Sequence, residues 1–205
     1  MYKLNILFFI FLSLVFCGCS IQKMEYEAVM TTLNDLKTPI NKRIYDTIEI
    51  VDHSFKLDVS LLKGYKNQKR IILNNELKPS GNFFEWIDKK YAWIITDKEI
   101  DYMIQSIQKQ SKGFWENRKF KSAKKKVKIV DYLKFDDRLT EDIERQKRIK
   151  EDKFVYFISK PVFNKNKDIF IIQYEIQLLP YSRLTLVYKK EKNHWIQIGI
   201  LGQNW

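Results

Sequence analysis

Taken from the amino end, the first pattern is a nearly unbroken apolar run from Leu4 to Phe16, preceded by the short positive start Met1-Tyr2-Lys3. The run falls short of the ~20 residues a membrane-spanning helix needs, and its length suits the apolar part of an export signal. Further on, Tyr26, Val29, Met30, Leu33 and Leu36 recur at helical spacing until Pro39, which predicts an amphipathic helix over 24–36. Thr47 to Val51 and Phe55 to Val59 alternate like two short strands around Asp52-His53-Ser54, which predicts a hairpin. Tyr91 to Thr96 has the look of a buried strand bounded by charge.

The clearest helix starts at Thr96. Thr96-Asp97-Lys98-Glu99 has the form of a capping box, in which a hydroxyl and a carboxylate satisfy the free backbone N–H groups of the first turn. Ile100, Met103, Ile104 and Ile107 then make one apolar stripe, with Gly113 as the expected stop. The densest basic run, Lys119 to Lys128, leads into a strand predicted over 127–132. Asp136 to Asp152 is heavily charged, and its Glu141/Arg145 and Glu144/Arg148 pairs predict an exposed helix.

From Phe154 onward, four apolar runs are separated by turn-like clusters at 164–168, 179–182 and 190–193, the pattern of an antiparallel meander. Matching apolar positions across the turns sets Ile158 opposite Tyr174, Tyr156 opposite Ile176, Ile176 opposite Leu186 and Leu186 opposite Ile198. This register puts the even-numbered residues from Phe154 to Ile200, Val162 and Leu178 among them, on one core face. The odd face, with Val155, Phe157, Ile171 and Trp195 beside Gln173, Glu175 and Thr185, is only half apolar. The expected fold is α+β, a single domain with a C-terminal four-stranded antiparallel meander packed by amphipathic helices.

The residues after the apolar run change the picture of where this domain works. Phe16-Cys17-Gly18-Cys19-Ser20 resembles the bacterial lipobox, in which a small residue precedes the cysteine that receives a diacylglycerol. Cys19 follows Gly18 and is the matching position, whereas Cys17 follows the bulky Phe16. The resemblance implies a signal peptide over 1–18, a lipidated tether over 19–23 and the single α+β domain over 24–205. The acyl chains, palmitate among them, would hold the protein on a membrane, at ~0.8 kcal/mol per buried CH₂.

The chain has only two cysteines. Cys17 would leave with the signal and Cys19 would become a thioether, so neither an internal disulfide nor a disulfide-linked partner is expected. Of the +12 formal charge, only Lys3 would leave with the signal. Outside the cytosol such charge favours anionic lipid, an acidic glycan or an acidic protein, and no nucleic acid.

Two further stretches carry a resemblance. Ile158-Ser159-Lys160-Pro161-Val162-Phe163, followed by Lys190-Glu191-Lys192-Asn193-His194-Trp195, is similar to the C-terminal part of uncharacterised lipoproteins of Bacteroidota. Thr96 to Met103 with Phe114-Trp115 is similar to an upstream part of the same proteins. The resemblance implies an envelope address and a single domain, and it transfers no catalytic residue. In those lipoproteins an acidic stretch after the lipidated cysteine often accompanies export to the outer face. Ser20-Ile21-Gln22-Lys23 carries no such stretch, so the resemblance implies a periplasm-facing domain on the outer membrane.

Few residues point to chemistry. The two histidines are His53 and His194. There is no G-x-S-x-G and no H-E-x-x-H, and neither a phosphate-cradling glycine loop nor an EF-hand pattern occurs. No cofactor or metal is expected. The aromatic and basic stretch around Trp115, Arg118, Lys119, Lys121, Lys124, Lys125 and Lys126 is the candidate binding surface for a protein or an acidic glycan. The leading expectation is a non-catalytic envelope lipoprotein that binds a partner. The alternatives are an envelope hydrolase built on a carboxylate pair, such as two of Glu85, Asp88 and Glu175, and a membrane-held immunity or inhibitor protein.

Overall fold

The computed structural model describes residues 21–36, 47–73, 84–111, 113–120, 125–131, 151, 154–176 and 183–201. Its first helix, α1, is described over 21–35. Then come β1 (Thr47–Val51), α2 (Val59–Leu73), β2 (Phe84–Trp86), α3 (Asp97–Lys109) and β3 (Lys126–Val130). The C-terminal part comprises β4 (Val155–Ile158), β5 (Val162–Phe163), β6 (Ile169–Ile176), β7 (Arg183–Glu191) and β8 (His194–Leu201). The strands form one mixed sheet in the order β2-β8-β7-β6-β4-β1-β3, with β5 also paired to β6.

The expected α+β class and the C-terminal meander are both present. β6, β7 and β8 follow one another as antiparallel neighbours, and the first apolar run supplies both β4 and β5. Tyr156 lies opposite Ile176 and Ile158 opposite Tyr174, as the pattern predicts. The other two matches differ: Leu186 faces Ile172 across β6 and Ile200 across β8. Both differences are even in number, so they preserve the faces, and the parity argument could not detect them.

Two local breaks do change the faces. Ser159-Lys160-Pro161 interrupts β4 and β5, so Val162 falls opposite Ile171 and joins the odd-numbered side. A bulge shifts the β7–β8 register between Val187 and Tyr188, and it sends Ile196 and Ile198 to that side too. The β7–β8 turn itself is tight, because Lys192 and Asn193 both adopt positive φ, the twist a two-residue hairpin requires.

The odd-numbered face is not left bare. α1 packs Tyr26, Val29, Leu33 and Leu36 against Tyr156, Ile158, Phe170, Ile172 and Tyr188 on one side of the sheet. On the other side α2 and α3 bring Leu62, Tyr65, Ile100, Met103 and Ile107 onto Ile169, Ile171, Val187 and Leu201. Gln173 and Thr185 lie buried under this second layer, and the Gln173 side chain donates to the Thr185 hydroxyl at 2.9 Å.

The hairpin predicted over 47–59 is replaced by a strand and a helix. β1 pairs in parallel with β3 and β4, and only Phe55 of the second stretch touches a strand, as an isolated bridge to Ser159. Asp58 instead caps α2: its carboxylate accepts from the Ser60 N–H at 2.8 Å. The strand predicted at 91–96 is a turn following a short 3-10 segment at Lys89–Tyr91, and the strand in this region is β2, paired with β8. The export segment, the charged helix predicted from 136 and Leu178 lie outside the described residues.

α3 begins as its sequence predicts. The Thr96 hydroxyl accepts from the Glu99 N–H at 3.3 Å, and the Glu99 carboxylate accepts from the Thr96 N–H at 2.9 Å. Its C-cap is Gln110, three residues before the expected glycine stop. Burial alone would raise the Glu99 carboxyl, but bonds from the Thr96 backbone, Asn164 and the Thr96 hydroxyl, together with the Lys69 charge, hold it below its usual 4.5. A carboxyl lowered in the folded state contributes stability that is present above 4.5 and lost as pH falls through the folded value. Thr96→Ala is expected to cost about 1 kcal/mol, read as a lower urea midpoint with an unchanged slope.

Candidate functional site

The candidate basic surface separates into interior and exterior residues. Trp115 is buried at 5% exposure, with its ring set edge-on to Tyr26 at 5.6 Å. Lys125 is buried at 8% exposure, and its ammonium donates to the carbonyls of Leu33 and Leu36 at 3.0 and 2.6 Å. These are carbonyls at the C-terminal end of α1, where the helix is electronegative; Leu33 also accepts from the Leu36 N–H at 3.3 Å. Burial lowers the Lys125 pKa and the Asp35 charge partly offsets this. Arg118, Lys119 and Lys126 are exposed, while Cys19, Lys121 and Lys124 lie outside the described residues.

A second grouping emerges at the amino end of α1, where the sequence offers Phe114, Trp115, Arg118 and Lys119 as signals. The Tyr26 hydroxyl accepts from the Glu116 N–H at 3.1 Å, which docks the 113–118 segment onto the second turn of the described helix. That segment is held from the other side by β1's exit: the Trp115 N–H donates to the Asp52 carbonyl at 2.6 Å, and the Ser54 N–H to the Gly113 carbonyl at 2.8 Å. A side chain at Gly113 would collide with the Lys160 stem, so glycine here permits the close approach of that lysine. Glu116 pairs with Arg118, and Glu25 is half-buried near Lys160, with burial raising its carboxyl and the lysine charge partly offsetting that. Ile21 and Phe114 keep 44% and 75% of their surface exposed at this end.

The chemistry available elsewhere is limited. His53 bonds to Asp52 at 2.9 Å and sets its ring edge-on to Phe157, and His194 lies exposed at the start of β8. Among the described residues, no three His, Cys, Asp or Glu side chains come together as a metal site, and no helix is long and apolar enough to cross a membrane. Glu175 is engaged by Arg183 at 2.7 Å, and Asp88 accepts from the Lys90 N–H at 3.0 Å. Glu99 and Asp168 both accept from the Asn164 amide, at 2.8 and 2.7 Å. Through Asn164 the pair ties the turn at 164–168 to the first turn of α3, and the bonds to Glu99 hold its carboxyl below its usual range.

Comparisons with protein-family models, with curated proteins and with solved structures find no match to this chain. Function therefore rests on the chain's own residues.

Proposed function

We propose that this chain is a membrane-anchored envelope lipoprotein whose α+β domain is a non-catalytic module for binding a protein or an acidic glycan. The observation that carries the reading is the apolar run from Leu4 to Phe16 followed at once by Gly18-Cys19. Two features support it. The domain's helical structure is already in place at residue 21, so little chain would separate a lipid on Cys19 from the folded body. Of the described carboxylates, Glu99, Asp168, Asp88, Glu116 and Glu175 are engaged in caps, turns and ion pairs, which fits binding better than hydrolysis.

Replacing Cys19 tests the anchor. Cys19→Ala is expected to abolish incorporation of a labelled fatty acid and partitioning into the detergent phase, whereas Cys17→Ala leaves both intact. Normal acylation of the Cys19 variant overturns the reading.

A further inference from the structure

The geometry points to one end of the domain, formed by Ile21, Phe114 and the cations beside them, as the surface that lies against the bilayer carrying the acyl chains of Cys19. The inference rests on the lipoprotein reading and adds to it an orientation. Covalent geometry supplies the first step. Only Ser20 lies between Cys19 and Ile21, and an extended chain spans at most about 3.6 Å per residue, so Ile21 lies within roughly 7 Å of the lipidated residue. An anchor that close leaves the domain little freedom to tumble, and whatever stands beside the start of α1 meets the headgroups.

The residues standing there suit that position. Tyr26 fixes the 113–118 segment to α1 through the Glu116 N–H at 3.1 Å and the edge-on Trp115 ring at 5.6 Å. Trp115 points inward, and its neighbour Phe114 is 75% exposed, the most exposed large apolar side chain among the described residues. Ile21, at 44%, is on the same helix end. Isolated apolar side chains on a soluble surface need no explanation, but an aromatic ring and an isoleucine beside a membrane anchor match what interfacial anchors are made of. Lys23 and Lys119 are exposed at this end as well, Glu116 is matched to Arg118 and Glu25 lies near Lys160, so these charges sum to a positive balance, the sign that suits anionic headgroups. The start of β1 is remote from this surface: Thr47 is exposed six residues before His53, which bridges to Phe114, so it lies ~20 Å away along the strand.

The absence of any other thiol in the processed, acylated protein gives a clean test. Phe114→Cys and Thr47→Cys are each purified in acylated form, labelled with a polarity-sensitive fluorophore and placed in phosphatidylethanolamine vesicles containing phosphatidylglycerol, with and without brominated lipid. Both sites are exposed, so neither substitution disturbs packing. The label at 114 is expected to shift to the blue and to be quenched by the brominated lipid, and the label at 47 to do neither. Acylated protein in which position 114 is silent, or in which both positions respond alike, overturns the orientation while leaving the anchored reading standing. An intact mass without acyl groups overturns the anchored reading, and the orientation with it.

Discussion

Asn164→Asp is expected to lower stability by about 3 kcal/mol near neutral pH, although the two side chains are the same size. Asn164 is 1% exposed, and its amide is used at both ends. The oxygen accepts from the backbone N–H groups of Asp168 and Ile169 at 3.1 and 3.0 Å, and the nitrogen donates to Glu99 and Asp168 at 2.8 and 2.7 Å. One side chain thus closes the β5–β6 turn and ties it to the first turn of α3. An aspartate keeps the accepting oxygen but turns a third negative oxygen toward two carboxylates, with no donor left between them. The introduced carboxyl must therefore titrate higher in the folded protein than in the unfolded chain. Linkage then fixes the sign: the variant recovers part of its stability as pH falls toward about 4, where the hydroxyl of the protonated carboxyl replaces one of the two lost N–H donors. Thermal unfolding at the two pH values checks this, with a deficit of ~6 to 12 °C at neutral pH that narrows in acid. A deficit of the same size at both values would remove the electrostatic explanation.

The same turn shows what the sequence could and could not convey. Asn164 to Asp168 is recognisable as a turn from composition alone, yet nothing along the chain says that its asparagine reaches Glu99, 65 residues earlier. Elements whose signals are local were legible: the capping box at Thr96, the stripe of α1 and the alternation in β6 and β7. Elements decided by distant partners were not. Phe55-Lys56-Leu57-Asp58-Val59 alternates like a strand, but β1 finds parallel partners in β3 and β4, and Asp58 is then better used as a helix cap. Period-two patterning fixes which face a residue takes and leaves shifts of two or four residues undetermined, which is why Leu186 sits opposite Ile172 and not Ile176. The half-polar odd face did not reveal how fully it is covered, because polar residues such as Gln173 and Thr185 lie beneath α2 and α3, where the Gln173 amide nitrogen donates to the Thr185 hydroxyl.

For the candidate site the limit is of another kind. A run such as Lys119 to Lys128 reads as uniform charge, since lysine's long apolar stem lets the same residue lie along a surface or reach through it to a buried acceptor. Direction is set by what sits at the far end. Trp115 illustrates the converse case, a residue that composition marks as a contact for a ligand and packing turns toward Tyr26 and Phe120. Phe114, its neighbour in the same aromatic and basic stretch, is the ring whose side chain is left outside, and the sequence alone does not say which of the two turns inward.

Lys125 and Lys126 turn this difference into a measurement. Lys125→Met is expected to cost about 2 to 3 kcal/mol, and Lys126→Met no more than about 0.5 kcal/mol, although the two residues are adjacent in one basic run. Methionine keeps the apolar stem and volume of Lys125 and removes only the ammonium. What is lost is the donor to the Leu33 and Leu36 carbonyls, together with the favourable charge at the negative end of α1. The Leu36 carbonyl would then lose its side-chain donor and the Leu33 carbonyl would keep only the Leu36 N–H, so α1 should loosen from its last turn, seen as faster amide exchange there than in the parent. Lys126 is exposed at the start of β3 and leaves no acceptor behind. Urea midpoints for the two variants decide the matter. Equal, small losses would mean that the Lys125 ammonium contributes no more than its solvated neighbour, and that the end of α1 is held by the packing of Leu33 and Leu36 alone.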